Sequence, residues 1–390
     1  MLTIAGTPLE QTSWNNQLIM KSKTRDVYQD FAGTFSDNKK MLPNGIQTTV
    51  NLGPSKHSHV VGLLLDIEGD GVMGRESQIG KEKDQELKEL IVYSNDLSQA
   101  VNTQRYGIDA HDKKAYRVLE MVNPQLSLWH KEIEGKATRE GLLQRYSSNL
   151  LVAPTNLVQR WNENIFIKGV TFANQPVYDS TNASYETNIS GATTGGSGGQ
   201  WDVTFLNALI HEITVIKAIQ PLDNERYVVT VPSRQAMFLK DPGSANSIAG
   251  LFKDSHVREA GENAYKYYLG SYGPMDLYED PRAAVVNITA GALVAQYKGA
   301  GTDDTRYSIG TGTDFDVSFV HGKGSYMKAI HEALHFEEEI QNYKKIVGVG
   351  AFTGYGINRT VFDDVDSPSD TSQINQNSIA IFAETSLAAV

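Results

Sequence analysis

The chain has 390 residues and is 40% hydrophobic, enough to give two or three compact units a core each, and its formal net charge of -11 excludes a broad cationic face for gripping nucleic acid. It has no cysteine, which removes disulfides, thiolate metal sites and cysteine nucleophiles together. The first residues lack a basic start followed by an apolar run, and no span approaches the roughly 20 apolar residues of a membrane helix, so a protein made and kept, or assembled, in the cytoplasm is expected.

Residues 1 to about 46 are polar without a sustained period and close with Pro43, Asn44 and Gly45, which suggests an extended arm. The apolar run from His59 to Asp66 and the segment from Glu86 to Ser94 suit the paired strands of a long hairpin. Between them Arg75, Glu76, Lys81, Glu82, Lys83 and Asp84 crowd a glycine-punctuated tip with almost nothing hydrophobic to fold upon. A two-stranded hairpin is marginal alone in water, so its projecting end is expected to dock on a partner.

Between His111 and Ser147 the apolar positions Ala115, Val118, Leu119, Val122, Leu126, Trp129, Ile133 and Ala137 recur every three or four residues, which predicts the clearest helix of the chain. Pro124 has no backbone donor, so a break or kink is expected there, with the longer piece starting near it and running to about Ser147. Gly135 and Gly141 should weaken that helix modestly.

After Pro154 the sequence turns rich in Thr, Asn and Gly, culminating in a surface loop from Asn188 to Gln200 that lacks the Lys-Ser/Thr of a phosphate cradle. Thr204 to Ile219 has helical spacing, with Asp202 placed as N-cap and Pro221 as the stop. Tyr227 to Val231 suits a buried strand, Ser233 to Lys240 a short helix after Pro232, and Ala283 to Ile288 and Phe315 to Val320 further strands. The fold class is α+β, without an internal repeat.

Among chemical motifs the sharpest is HEALH, His331 to His335, the pattern in which two histidines one helical turn apart hold zinc while the glutamate activates water. The residues that follow, FEEEIQ, lack the glycine and third histidine of the extended protease motif. A third ligand could come only from Asp363, Asp364 or Asp366, so a surface helix with two solvated histidines is expected and a zinc-dependent protease is the alternative. Asp66, Glu68, Asp70 and Gly71 resemble the start of a calcium loop, but its twelfth position is Ser77 instead of a bidentate glutamate, which favours an acidic turn. The pairs Asp303 with Asp304 and Asp314 with Asp316 suit solvated turns. His57, His59, His130, His211 and His256 accompany no serine or cysteine at a nucleophile elbow.

The succession VMGRESQIGKEKDQELK, then VYSNDLSQAVNTQRYGIDA, then a helical region ending at Ser147, resembles the major capsid proteins of tailed phages, in the short-tailed-phage family long catalogued as a domain of unknown function. Later segments agree in order: YVVTVPSRQAMFLKD (Tyr227 to Asp241), YLGSYGPMDLYEDPRAAV (Tyr268 to Val285) and LHFEEEIQNYKKIVGVGAFTGYGINRTVFD (Leu334 to Asp363). The resemblance implies a Hong-Kong-97-type fold. It places an N-terminal arm at 1–46, an extended hairpin called the E-loop at 47–105, and a peripheral domain at 106–150 with a spine helix at about 124–147. A mainly axial domain with return strands follows at 151–345, and C-terminal strands at 346–390.

It also implies a non-enzymatic shell subunit, without metal or cofactor, that assembles in the host cytoplasm as hexamers and pentamers around double-stranded DNA and resides in the virion. Its partners would be other copies of itself, scaffolding, decoration and portal proteins, and packaged DNA touched non-specifically, with no membrane involved. The six charged residues of the hairpin tip would be the inter-subunit contact. An exported surface-layer or adhesin protein is a further alternative, and it would need an export signal that the sequence does not display.

Overall fold

The computed structural model describes residues 27–29, 45–52, 57–64, 87–102, 118–144, 161–170, 175, 201–240, 267–289, 292–296, 313–341, 346–364 and 377–384. A 3-10 turn at Val27–Gln29 precedes strands β1 (Gln47–Asn51), β2 (Ser58–Leu64), β3 (Leu87–Tyr93) and β4 (Asn95–Asn102) and helix α1 (Val118–Gln144). Then come β5 (Ile165–Ile167), α2 (Val203–His211) with a π turn at Glu212–Ile216, β6 (Tyr227–Pro232), α3 (Ser233–Lys240), β7 (Tyr268–Tyr272) and β8 (Met275–Asp280). The chain continues through β9 (Val285–Thr289), β10 (Ala292–Gln296), β11 (Thr313–His321), β12 (Tyr326–Gln341), β13 (Ile346–Arg359), β14 (Asp363–Asp364) and β15 (Ser378–Glu384).

The largest sheet runs β10-β9-β11-β6-β8-β7, with β15 also on β11 and β5 on β15. Strands β6 and β15 within it read as nearly continuous apolar runs because both faces are covered. Along β15, Ile379, Ile381 and Ala383 enter one core with Trp201, Phe205, Leu206 and Leu209 of the α2 region, while Ala380 and Phe382 enter the other with Leu142 and Leu143 of α1. Helix α2 starts as its sequence requires, with the Asp202 side chain accepting the Phe205 backbone N–H at 2.7 Å. The segment expected to stay helical to Ile219 finishes instead as a π turn, and α3 occupies the residues expected of it.

A second sheet, β1-β12-β13-β4, carries α1, and a third, β14-β3-β2, forms the stem of the hairpin. The break expected at Pro124 does not occur: α1 runs unbroken from Val118 to Gln144. A helix-interior proline costs about 3 kcal/mol, but Val122 and Leu126, on either side of it, are both buried against Val349 and Ala351 of β13, and that shared packing holds the turn closed. Gly141 is a requirement of close packing, because a Cβ there would meet the Ile357 carbonyl oxygen of β13 at 3.0 Å.

The expectation of a purely extended arm also needs correction. Val27 and Tyr28 are 2% and 4% exposed, and Tyr28 lies in the core shared by α1 and the large sheet. The Arg139 guanidinium sits 4.9 Å above its ring, and the rings of His321 and Tyr326 meet it edge-on.

Candidate functional site

Where α1 joins the two larger sheets, the contact is built from buried ion pairs as well as apolar packing. Arg139 of α1 donates from Nε to Asp280 Oδ2 at 2.8 Å and from Nη2 to Oδ1 at 2.6 Å, tying the helix to the end of β8. Arg282 reaches Glu132 at 2.8 Å, two turns earlier on the helix. Arg359 of β13 donates to Glu163 at 2.6 Å and to the Leu142 carbonyl at 3.3 Å. Lys328 of β12 pairs with Glu134 and lies over the Tyr355 ring. Such fixed, directional contacts hold helix and sheets in one relative orientation.

Burial sets the charge states here. His321 is fully enclosed, and burial pushes its pKa down to about 3. Its Nδ1 lies 3.1 Å from Ser325 Oγ. Burial, with the Glu134 and Glu140 charges, pushes the Tyr355 hydroxyl far above its ordinary range. His130 is lowered, chiefly by burial, against the raising effect of Glu134. All three favour neutral forms, so the polar frame around α1 does not change charge near neutrality through them.

The hairpin stem forms as its sequence predicts, with β2 and β3 antiparallel and Val61 opposite Leu90. Leu90 and Val92 are buried against Met327 and Ala329 of β12 and against Phe362. Val60, on β2, is 53% exposed. The proposed contact residues Arg75, Glu76, Lys81, Glu82, Lys83 and Asp84, the acidic turn at Asp66, Glu68 and Asp70, the Asn188 to Gln200 loop and the pair Asp303 with Asp304 all lie outside the described residues.

Two sequence expectations about chemistry are overturned. HEALH is not on a helix: it lies within β12, paired antiparallel with β13. Four residues along a strand span about 13 Å, so His331 and His335 do not meet at one ion and the protease geometry is lost. His331 is buried, its Nδ1 2.9 Å from Ser94 Oγ and its Nε2 2.7 Å from Asp96 Oδ1, whereas His335 stacks on Phe352 with ring centroids 5.7 Å apart. Asp314 and Asp316 are not turn residues either but belong to β11. Asp316 is 1% exposed and accepts from Arg234 at 2.7 Å, and Asp314 accepts from Asn287 at 2.6 Å. The partners Ser94 and Asp96 are separated from His331 by more than 200 positions, and no local pattern announces them.

No protein-family model matches the chain, and no curated protein matches it in sequence. Among solved structures it is similar to the capsid of Ralstonia phage GP4, with a TM-score of 0.63 at 14% identity, over 100% of this chain and 99% of that one. The cyanophage Pam1 capsid gives a TM-score of 0.64 at 14% identity over 98% and 99% of the two chains. The head of Helicobacter pylori bacteriophage KHP40 gives 0.61 at 11% identity over 99% and 97%. The chain therefore has the fold of phage capsid proteins, the Hong-Kong-97 type, in a mixed α and β form. The likeness takes in the hairpin stem, α1 and all three sheets together, not one module among them.

Proposed function

We propose that the protein is the major capsid protein of a tailed bacteriophage, assembling as hexamers and pentamers into an icosahedral shell around double-stranded DNA. The observation that carries this reading is the near-complete coverage of both chains in the matches to three phage heads. Catalysis has no part in the work, which is self-association; the virion is where the protein resides.

On this reading the arm is 1–46, anchored by the buried Val27 and Tyr28. The E-loop is 47–105, the peripheral domain 106–150 with α1 as its spine, the axial domain mainly 151–345, and the C-terminal strands 346–390. The mixed-sign tip of Arg75, Glu76, Lys81, Glu82, Lys83 and Asp84 lies across a neighbouring copy. Each exposed pair contributes only about 0 to 1 kcal/mol, so the tip sets register and partner choice through complementarity repeated around the shell. Exposed apolar side chains such as Val60, Val215 and Ile216, the last two adjacent and 62% and 53% exposed, are further surface that a neighbouring copy would cover. Scaffolding, decoration and portal proteins are the other partners, and packaged DNA meets the acidic inner wall without sequence preference.

Sedimentation of the purified protein under assembly conditions tests this. The wild type should form large particles, and Lys81→Glu with Lys83→Glu should stop at small species while keeping the wild-type circular dichroism. Unchanged particle formation by that variant would remove the tip from the interface.

A further inference from the structure

The residues around His331 form a site that the shell reading does not use. Gly354 stands at the centre of a row across three strands, opposite Asp96 on β4 and opposite Glu332 on β12. The two carboxylates therefore flank a position without a side chain. A Cβ on Gly354 would collide with the His331 imidazole at Nε2 and Cε1, so the ring fills the gap the glycine leaves. His331 gets there because β12 slips register between Ile330 and Glu332, a bulge that re-aims a side chain. The result is one buried imidazole nitrogen between two exposed carboxylates. Ligand atoms from Asp96, His331 and Glu332 all lie within 4.8 Å of one another.

We propose that Asp96, His331 and Glu332 bind a divalent transition-metal ion of the zinc class, with Ser94 as a positioning residue. The donor set argues for that class: one imidazole nitrogen with two carboxylate oxygens suits zinc, cobalt or nickel, whereas calcium and magnesium take all-oxygen shells. In the ion-free site Nε2, 2.7 Å from Asp96 Oδ1, carries the proton between them; when a cation takes that position the proton is displaced to Nδ1, where Ser94 Oγ at 2.9 Å accepts it, the outer-shell arrangement that orients metal-bound histidines. Two donors on one tetrahedral zinc stand about 3.3 Å apart. Nε2 and Asp96 Oδ1 are 2.7 Å apart now, and the Asp96 side chain, 73% exposed, is free to swing outward by the difference. Water completes the shell.

The site has a structural place. Ser94 lies between β3 and β4, where the hairpin stem passes into the second sheet, and its backbone N–H donates to the His57 carbonyl at 2.8 Å beside β2. The His57 ring meets His331 edge-on at 4.8 Å. A cation held here bridges β4 and β12 over β13 and fixes the base of the hairpin. Because Glu332 is a ligand, it is not the base of a hydrolase, and His335 takes no part.

Metal binding by the purified full-length protein, first dialysed against chelator, decides the matter. Titration with zinc, and with cobalt read by its visible ligand-field bands, should show one ion per chain. Asp96→Asn with Glu332→Gln should weaken binding at least tenfold while the metal-free protein still unfolds cooperatively, since both side chains are exposed. Ser94→Ala should weaken it about 10- to 100-fold. His335→Ala should leave it unchanged. The proposal is overturned if the wild type binds no stoichiometric ion, if the Asp96, Glu332 variant binds as tightly, or if loss of His335 abolishes binding.

Discussion

Asp280→Asn is the sharpest probe of how α1 is held. The Arg139 and Asp280 side chains are 0% and 3% exposed, and two charge-assisted hydrogen bonds of 2.6 and 2.8 Å join them in a fork. Asp280 Oδ1 also accepts the Arg282 backbone N–H at 2.9 Å, so its oxygens are fully engaged. Asparagine keeps the shape but removes the charge and turns an amide N–H towards a guanidinium N–H. A buried guanidinium then loses its bidentate carboxylate, which costs about 3–5 kcal/mol. Replacing both partners by apolar residues of similar volume, Arg139→Met with Asp280→Leu, removes the buried charge as well, and most of the loss should return. Urea unfolding of unassembled subunits, followed by fluorescence of Trp161 and Trp201, measures both. A loss below about 1 kcal/mol for Asp280→Asn, or a double variant no more stable than the single, would refute the reasoning.

Gly354→Ala must displace the His331 ring and break its contacts with Ser94 and Asp96, at a cost of about 1–3 kcal/mol; in a His331→Ala background the same change should cost little, and a double-mutant cycle of unfolding free energies measures the coupling. The fully buried His321, held neutral to about 3 against an ordinary 6.5, makes the folded chain bind fewer protons than the unfolded one between those values. Its contribution is complete above pH 6.5 and is lost as pH falls, by about 2 kcal/mol at pH 5. His321→Gln should flatten the pH dependence of unfolding between pH 5 and 7, and an unchanged slope would contradict the burial argument.

Locally encoded features were legible in the sequence. A short apolar run and its partner segment gave the stem strands around Val61 and Leu90, an N-cap aspartate gave the start of α2, and Pro232 followed by SRQAMFLK gave α3. What failed was decided by distant partners. HEALHFEEEIQ is made largely of good helix formers, yet β13 imposes a strand on it over most of its length, with register slips that absorb the mismatch. Pro124 signals a break in any isolated segment, and only the β13 surface beneath Val122 and Leu126 overrides it. Tyr28 sits in a polar stretch with no period, so nothing local marks it as core, and its partners Arg139 and His321 are remote in sequence. The His331 cluster is half visible: HEALH matches a helical metal motif, whereas Asp96 and Gly354 come together only through sheet pairing and Ser94 reaches His331 only in the fold.

Cryo-electron microscopy of the expressed full-length protein under assembly conditions tests the central claim most directly. The account predicts closed icosahedral particles whose walls resolve into clusters of six and five copies, with the stem formed by β2 and β3 reaching across to a neighbour. A protein that remains monomeric under every assembly condition, with no shell in any field, would contradict it.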